Sequence, residues 1–215
     1  MSSRLVLYGE RGWGSAIVEA QLVWYGLDFD YRATGDLFKD PSADDELAAV
    51  NPLRQIPTLI LEDRTVMTES AAITLLLAER AGLAGALAPA AGDPARAAFL
   101  RWLVFIVANV YPTYTYADDP ARFVEPANAR GPFKDAVTEY AKRLYRQLDA
   151  EAAEPWFTGE RLTALDVYLA TMVAWRPYRP WFDDNAPRLA AIARRVYAEP
   201  RFGDVWRLNF PVDGA

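Results

Sequence analysis

The most constraining feature of the sequence is a change in periodicity at a stretch rich in glycine and proline, residues 82–94. Before this stretch, short apolar runs alternate with segments of helical spacing, which indicates strands mixed with helices. After it, apolar residues recur only at helical spacing. The predicted strands lie at residues 5–8, 29–31, 58–61 and 65–67. The predicted helices lie at residues 16–24, 69–81, 94–117, 133–152, 163–176 and 187–198.

The order of these elements predicts the fold class. A βαβ unit, a ββα unit and then a series of helices do not build a doubly wound parallel sheet. They fit an N-terminal thioredoxin-like α/β domain followed by a C-terminal helical bundle domain. We therefore expect domains at residues 1–81 and 94–215, with residues 82–93 as the linker.

Two absences in the composition exclude several kinds of chemistry. The 215 residues include neither cysteine nor histidine. Disulfides, thiolate ligands, cysteine nucleophiles and histidine bases are therefore excluded, and a metal site is not expected. Any catalysis must use hydroxyls, carboxylates, lysine, arginine or main-chain amides, or a reactive group that a ligand carries.

Charge and hydropathy limit the partners and the location. The net charge of −6 offers no basic footprint for a nucleic acid. No apolar run approaches about 18 residues, and the first residues do not form a signal peptide. We therefore expect a cytoplasmic protein with neither a nucleic-acid nor a membrane partner.

A proline-flanked loop leads into the third predicted strand. Residues 51–59 read Asn-Pro-Leu-Arg-Gln-Ile-Pro-Thr-Leu, with the second proline directly before an apolar run. A cis peptide bond at Pro57 would leave the main-chain N–H and C=O of Ile56 open to a ligand. The alternative interpretation is an ordinary loop that enters a strand.

A second candidate site begins the helix predicted at residues 69–81. Thr68, Glu69 and Ser70 lie between a short strand and this helix. The amides of a helix N-terminus bind anions, so Ser70 could donate to a carboxylate there while Glu69 meets an ammonium group. An amino-acid group carries both charges and suits this segment. The alternative is a plain N-cap, supplied by Thr68 or Ser70.

A third segment, residues 159–166, begins the most apolar helix of the chain. Thr163 and Asp166 have the spacing of a capping box. We interpret this pair as structural, because a buried helix must satisfy its first amides within the protein.

These three segments, in this order and at these spacings, resemble the glutathione S-transferase superfamily over nearly the whole chain. The resemblance implies that Glu69 and Ser70 hold the γ-glutamyl group of glutathione. It implies that Ile56, beside Pro57, hydrogen-bonds the cysteinyl part, with Arg54 near the glycyl carboxylate. It also implies a cytosolic, bacterial-like transferase of serine or atypical type, with glutathione as co-substrate and a homodimeric assembly.

The sequence departs from the family pattern where the catalytic side chain is expected. The family places serine, cysteine or tyrosine near the end of the first strand, and the usual positions here hold Trp13 and Gly14. These two residues are expected to contact glutathione, and the hydroxyls of Ser15 and Tyr8 are the catalytic candidates. The amides of this helix N-terminus would also lower the pKa of a nearby thiol. The alternatives are a capping role for Ser15 and a core position for Tyr8.

The helical domain is expected to supply the pocket for a second, hydrophobic substrate. Trp102, Tyr111 and Tyr114 lie in an aromatic stretch of helix 94–117, and Pro112 is expected to kink that helix. Aromatic walls with a few hydroxyls suit a planar apolar ligand. The alternative is core packing, which fits Trp102 best.

The sequence therefore predicts a glutathione transferase that adds the glutathione thiolate to a hydrophobic electrophile, a reaction of detoxification. Because the chain has no cysteine, exchange of disulfides through a protein thiol is excluded. Two alternatives stay open: a transferase-like binding protein with little or no catalysis, and a glutathione-dependent isomerase or ether-cleaving enzyme. Trp13 favours the binding protein, because it occupies a usual catalytic position.

Overall fold

The chain divides into two compact units. The computed structural model describes residues 4–39, 45–82 and 86–211. The first unit comprises Met1–Ala90 with Val196–Ala215, and the second comprises Ala91–Arg195. Residues 83–85 of the predicted linker lie outside the described residues, as do the ends of the two predicted domains at residues 1–3 and 212–215.

The first unit is built on a mixed four-stranded sheet. Its strands are β1 (Leu5–Gly9), β2 (Phe29–Ala33), β3 (Thr58–Ile60) and β4 (Val66–Met67). They lie in the order β2-β1-β3-β4, with β1 parallel to β2 and with β3 antiparallel to both β1 and β4. All four strands occur where the sequence predicts them, with ends that differ by one or two residues.

Three helices accompany the sheet: α1 (Ser15–Tyr25), α2 (Asp45–Val50) and α3 (Ser70–Arg80). Helices α1 and α3 pack together, and Gln21 Nε2 donates a hydrogen bond of 2.9 Å to Thr74 Oγ1 between them. Apolar spacing does not predict α2, because this short helix buries only Leu47. The apolar core between the helices and the sheet contains Leu5, Leu7, Val18, Leu22, Leu59, Leu61, Ile73 and Leu77.

The second unit is built from helices, and the last of them runs into the first unit. They are α4 (Arg96–Phe105), α5 (Tyr111–Asp118), α6 (Ala127–Glu151), α7 (Ala164–Val173), α8 (Arg179–Asn185) and α9 (Pro187–Ala198). Helix α7 is buried along its whole length, as its apolar sequence predicts. Its capping box is formed, with the Thr163 amide donating to Asp166 Oδ2 at 2.7 Å.

The structure adds detail at Pro112 and corrects the predicted start of the next helix. Pro112 follows a π-helical turn, Ile106–Val110, in which the Tyr111 amide donates to the Ile106 carbonyl, so the wider turn precedes the proline and the helix continues. The segment between the helices predicted at residues 94–117 and 133–152 is shorter than the sequence suggests, because α6 already begins at Ala127. The second turn of α6 contains Pro132, which lacks the amide that would donate to the Asn128 carbonyl, so the helix forms despite one missing hydrogen bond.

The continuous helical run Arg96–Asp118 has the length and composition of a membrane span, with a mean hydropathy of 1.2. The sequence predicts this helix but no membrane span, because polar residues such as Asn109 interrupt its apolar stretch. Within the second unit, Trp102 and Tyr114 of this run are only 5% and 8% exposed. A single run of this kind is weak evidence for a membrane span, since core helices of folded domains share these properties.

The last helix of the described chain lies with the sheet. The helical domain predicted from the sequence covers residues 94–215, whereas the residues from Val196 onward group with the first compact unit. A short 3₁₀ turn, Pro200–Phe202, and α10 (Val205–Asn209) pack against α1 in the first unit. The Trp24 and Phe202 rings have centroids 5.1 Å apart. Such aromatic contacts between distant segments are not visible in local periodicity. The other predicted domain limits stay a prediction.

Candidate functional site

Three loops of the first unit meet at one edge of the sheet. Strand β1 ends at Gly9 and is antiparallel to β3, which begins at Thr58, so the end of β1 lies beside the start of β3. Strand β3 is in turn antiparallel to β4, so the end of β4 at Met67 lies at the same edge. The β1–α1 loop (residues 10–14), the loop before β3 and the start of α3 are therefore neighbours. They carry the segments that the sequence analysis singled out.

Asn51 organises the loop before β3. Its side chain is buried, and its Nδ2 donates to the Gln55 carbonyl and to Thr58 Oγ1, each 3.0 Å away. The Ile56–Pro57 peptide bond is cis, the geometry that the sequence left open. Neither the amide nor the carbonyl of Ile56 bonds to another described residue, so both can serve a ligand.

Arg54 lies in the same loop and is only loosely paired. Its guanidinium is 3.8 Å from Asp45 Oδ1, and the Asp45 side chain is 94% exposed. Ion pairs at such exposure contribute little, so the pair does not prevent Arg54 from binding another carboxylate. The Arg54 amide donates to the Asn51 carbonyl at 2.8 Å, which fixes the backbone from which the side chain extends.

Glu69 and Ser70 form the junction between β4 and α3. Glu69 precedes the helix with φ 61° and ψ 102°, a backbone conformation that costs a non-glycine residue about 1–3 kcal/mol. Ser70 is the first residue of the helix and is half-buried. Neither side chain hydrogen-bonds or forms an ion pair with another residue of the described chain. Backbone strain beside two unused polar side chains marks this junction as a candidate ligand site.

Ser15 is fully buried, and its hydroxyl is used within the β1–α1 loop. Its Oγ accepts from the Glu10 amide at 3.1 Å and donates to the Glu10 carbonyl at 2.9 Å. A Cβ atom at Gly9 would lie 2.4 Å from the Ser15 Cβ, so this packing requires glycine there. Of the two roles that the sequence leaves open for Ser15, this geometry favours the structural one. Its catalytic role stays a prediction.

Tyr8, the other candidate hydroxyl, lies in the sheet. It is buried in β1, opposite Thr58 of β3 and Arg32 of β2. This position fits a residue of the core better than one that meets a substrate, which is the alternative stated for it. The catalytic role of Tyr8 also stays a prediction.

Trp13 forms an aromatic pair that the sequence analysis missed. Its ring centroid lies 5.0 Å from that of Phe38, at an interplanar angle of 31°, and Phe38 is half exposed. The pair gives an apolar surface beside the N-terminus of α1. Phe38 lies in a turn, where no periodic pattern marks an aromatic residue as functional.

The N-terminus of α1 offers two unpaired main-chain donors. The Trp13 amide donates to the Glu10 carbonyl at 3.1 Å, but the amides of Gly14 and Ser15 donate to no other described residue. The first amides of a helix lack helical partners, and the helix dipole favours negative charge at this end. These two amides are therefore suited to an anion such as a thiolate.

In the second unit, Trp102 and Tyr114 are core residues. The Trp102 ring packs edge-on against Phe157, with centroids 5.6 Å apart. The Tyr114 hydroxyl donates to the Arg176 carbonyl at 2.9 Å and also contacts the Tyr145 hydroxyl. Burial raises the pKa of Tyr114 well above its ordinary value, so its hydroxyl stays neutral. Their predicted contact with a substrate is less well supported than the core packing stated as its alternative.

Tyr111 differs from these two residues. Its hydroxyl is buried and has no hydrogen-bond partner among the described residues. The ring packs edge-on against Trp175, with centroids 5.7 Å apart. Burial raises the pKa of Tyr111, which therefore offers a neutral donor. Because a buried donor without a partner is costly, Tyr111 is the best placed of the three predicted pocket residues to serve a ligand atom.

An apolar cavity of about 350 Å³ lies between α5 and α6, within the second unit. None of the three predicted pocket residues lines it. Most of its lining is apolar, and no single-helix pattern reveals it because two helices contribute. The lining residues are Ala108, Asn109, Pro112, Thr113, Tyr116, Phe133, Ala136, Val137 and Tyr140.

Comparison with known proteins adds the family to this geometry. The family model "Glutathione S-transferase, N-terminal domain" matches residues 18–80. The "Uncharacterized GST-like protein YncG" of Escherichia coli strain K12 is 41% identical over 204 residues, covering 94% of this chain and 97% of that protein. The "Glutathione S-transferase GstA" of Escherichia coli O157:H7 is 28% identical, covering 83% of this chain and 86% of that protein.

A solved structure agrees with this result. A sphingomonad glutathione S-transferase, described as complexed with glutathione, matches with a TM-score of 0.78 and 27% identity, covering 94% of this chain and 97% of that one. The fold is thus that of a thioredoxin-like unit joined to a helical unit, and the predicted fold class is confirmed. The chain belongs to the glutathione S-transferase superfamily.

Proposed function

We propose that this chain is a glutathione transferase, which binds glutathione at the sheet edge of the first unit and adds its thiolate to an apolar electrophile. The observation that carries the proposal is the meeting of three unused groups at that edge. These groups are the Ile56 main chain, the Glu69–Ser70 junction and the amides of Gly14 and Ser15. Family membership supports it, as does the glutathione complex of the sphingomonad relative.

The chemistry of glutathione matches these groups along its length. Its γ-glutamyl end carries a carboxylate and an ammonium group, which suit Ser70 with the first amides of α3 and the Glu69 carboxylate. The peptide groups of its cysteinyl residue suit the free amide and carbonyl of Ile56. Its glycyl carboxylate suits Arg54. These roles follow the family resemblance and are supported by the free state of Ile56, Glu69 and Ser70 in the described chain and by the loose pairing of Arg54 with Asp45.

We assign stabilisation of the thiolate to the amides of Gly14 and Ser15. Two preorganised donors and the dipole of an 11-residue helix favour the ionised thiol over the neutral one. The Ser15 hydroxyl is already bound to the Glu10 main chain, which favours the amides over the hydroxyl. Trp13, paired with Phe38, gives this site an apolar wall.

The second substrate is an apolar electrophile that the helical unit binds. The mostly apolar lining of the cavity between α5 and α6 supports this class of ligand. Tyr111 does not line this cavity, and its contact with a substrate is a separate proposal that rests on its buried hydroxyl without a partner in the described chain. Family membership further supports a cytoplasmic homodimer that acts in detoxification. If the protein is a homodimer, light scattering should give about twice the chain mass of 24.0 kDa.

A binding protein with little or no catalysis is the second candidate function. Trp13 stands where the family pattern has a catalytic side chain, and the nearest hydroxyl, Ser15, is buried. In this case glutathione occupies the same edge of the sheet, but its thiol stays protonated. A glutathione-dependent isomerase or ether-cleaving enzyme would also use the glutathione thiolate, but it would act on a different kind of electrophile.

Calorimetry with glutathione, combined with absorbance near 240 nm on the same samples, tests the proposal. A transferase should bind glutathione with a rise in thiolate absorbance near neutral pH. S-methylglutathione is the matched control ligand, because it has no ionisable thiol and should bind without that rise. Binding of both without any thiolate signal would favour the binding protein. No binding at millimolar glutathione would contradict both candidates.

Replacement of Ser70 by alanine should weaken glutathione binding by about 1–3 kcal/mol, the usual effect of losing a hydrogen bond to a charged group. Calorimetry measures the affinity directly. Thr138→Ala is a suitable control, because it removes a hydroxyl that bonds only within α6, to the Lys134 carbonyl. Equal affinities for the Ser70 variant and the control would remove the assignment of the γ-glutamyl site.

A further inference from the structure

A buried polar cluster ties the β1–α1 loop to the C-terminal helix of the first unit. Glu19, in α1, is 4% exposed, and its carboxylate accepts hydrogen bonds from the Arg11 guanidinium. Asn209 Nδ2 donates to Glu19 Oε2 at 2.8 Å. Asn209 Oδ1 accepts from the Gly12 amide at 3.1 Å. One side chain from α10 therefore holds both a loop amide and a buried carboxylate.

Stability alone does not account for this cluster. A buried carboxylate and its partner lose their hydration, and apolar side chains in their place often leave a protein equally stable or more stable. Glu19 is the one charged residue of α1 and lies in the middle of this mostly apolar helix, where a leucine would pack without this cost. A role in arranging the loop explains why charged and polar groups stand here.

The cluster fixes the two residues that lead to the free amides. The Arg11 guanidinium, bound by Glu19, lies 4.2 Å above the Tyr31 ring. At Gly12, φ is 78° and an added Cβ atom would lie 3.2 Å from the Asn209 carbonyl oxygen, so the loop closely approaches α10. With Arg11 and Gly12 held in this way, the chain reaches Gly14 with its amide unpaired.

We propose that Asn209 and the Glu19–Arg11 pair are positioning residues, which hold the amides of Gly14 and Ser15 in the orientation that stabilises the glutathione thiolate. The inference rests on the proposed function. None of the three side chains needs to touch glutathione, since each acts through the loop. Their loss should therefore alter thiolate formation and turnover, but not the recognition of the γ-glutamyl end at Glu69.

The variant Asn209→Leu tests the proposal, because leucine has a similar shape but makes none of the side-chain hydrogen bonds of Asn209 to Gly12, Glu19 and the Val205 carbonyl. Absorbance near 240 nm across a pH series should show the pKa of the bound glutathione thiol raised by about one unit. Below the wild-type pKa of that thiol, kcat should fall about tenfold, while KM for glutathione changes less than about threefold. Glu10, the acidic residue of the β1–α1 loop, accepts a hydrogen bond from the Gly35 amide, and the substitution of Asn209 leaves this contact in place.

Asn185→Leu is the matched control. Asn185 also ends a short helix, and its Nδ2 donates to the Trp181 carbonyl at 3.1 Å, as that of Asn209 does to Val205 at 2.9 Å. It should leave the thiol pKa and kcat at the wild-type values. If Asn209→Leu does not fold, Asn209→Ala removes the same hydrogen bonds without changing any charge of the cluster, and it should also raise the thiol pKa.

Hydrogen exchange of the β1–α1 loop separates this inference from the proposed function. Without glutathione, the amides of Gly12 and Trp13, which are hydrogen-bonded in the wild type, should exchange faster in Asn209→Leu than in Asn185→Leu. Unchanged exchange and an unchanged thiol pKa would overturn the positioning role while leaving the transferase intact. A wild-type protein that binds no glutathione would instead contradict the proposed function, and the thiolate role of Asn209 with it.

Discussion

Proline in place of Gly14 is expected to lower the turnover of glutathione conjugation by about 10²–10³-fold, as the loss of one preorganised donor to a developing anion does in other enzymes. The substitution removes one of the two free amides at the N-terminus of α1. The backbone at Gly14, with φ −60° and ψ −19°, suits proline, and helix N-termini accept it. Affinity for glutathione should change far less, because the γ-glutamyl site is untouched. Steady-state kinetics with an aryl halide give kcat and KM separately.

Two neighbouring variants separate the amide from other effects. Gly14→Ala adds a side chain but keeps the N–H group, so its turnover should stay near that of the wild type. Ser15→Ala removes the hydroxyl but keeps the amide, and it should reduce stability more than turnover, because Glu10 loses two hydrogen bonds. If Ser15→Ala abolished turnover while Gly14→Pro did not, the hydroxyl would be the thiolate donor and our assignment would be wrong.

Replacement of Asp166 by alanine is expected to destabilise the protein by about 2–6 kcal/mol, since two buried main-chain amides would each lose an acceptor at about 1–3 kcal/mol. The Asp166 carboxylate accepts from the amides of Phe157 and Thr163, both at 2.7 Å, and from the Thr163 hydroxyl at 3.0 Å. Chemical denaturation measures the change. Asp149→Ala is the control, because Asp149 accepts from one main-chain amide, that of Leu189, at a more exposed place, and a smaller loss is expected.

The stability difference caused by Asp166 should also depend on pH. Burial raises the pKa of this carboxyl from 3.8 to about 6, although its hydrogen bonds favour the ionised form. The folded state then binds a proton that the unfolded state has released between about pH 4 and pH 6, so the contribution of Asp166 to stability falls as the pH rises through this window. The difference in unfolding free energy between the wild type and Asp166→Ala should therefore decrease from pH 4 to pH 7. An increase in this difference would show that the hydrogen bonds affect the pKa of Asp166 more than burial does.

Local patterns predict the fold wherever one segment determines its own structure. The strand Leu5–Gly9 and helix α7 are examples, because alternation, apolar spacing and capping residues are all read from neighbouring positions. Such local patterns do not predict helix α2 or the start of α6. The first buries a single leucine, and the second begins before a glycine and a proline that suggest a loop.

In the candidate site too, residues in local motifs can be predicted from the sequence, whereas residues that depend on distant contacts cannot. Ile56, Pro57, Glu69 and Ser70 lie in short motifs, and the structure leaves their functional groups free for a ligand. The contacts of Glu19 and Phe38 depend on segments distant in sequence, so no local motif marks them. One signal was available, because Glu19 is the single charged residue of an apolar helix. The burial of Ser15 could not be predicted, since a serine at a helix start is ordinarily exposed to solvent.

The division of the sheet unit into two parts of the chain has a consequence for its synthesis. Residues 91–195 are synthesised between the two parts of this unit. The ribosome adds about 5–20 residues per second, so Asn209 is made roughly 5 to 20 seconds or more after the sheet and α1 could begin to fold. During that interval the Gly12 amide lacks its acceptor. A chain that ends early, before residue 196, would keep every residue assigned to glutathione but would lack the residue that orients the loop. The lower thiol pKa that we assign to the positioned loop would then be reached only after residue 209 has been made.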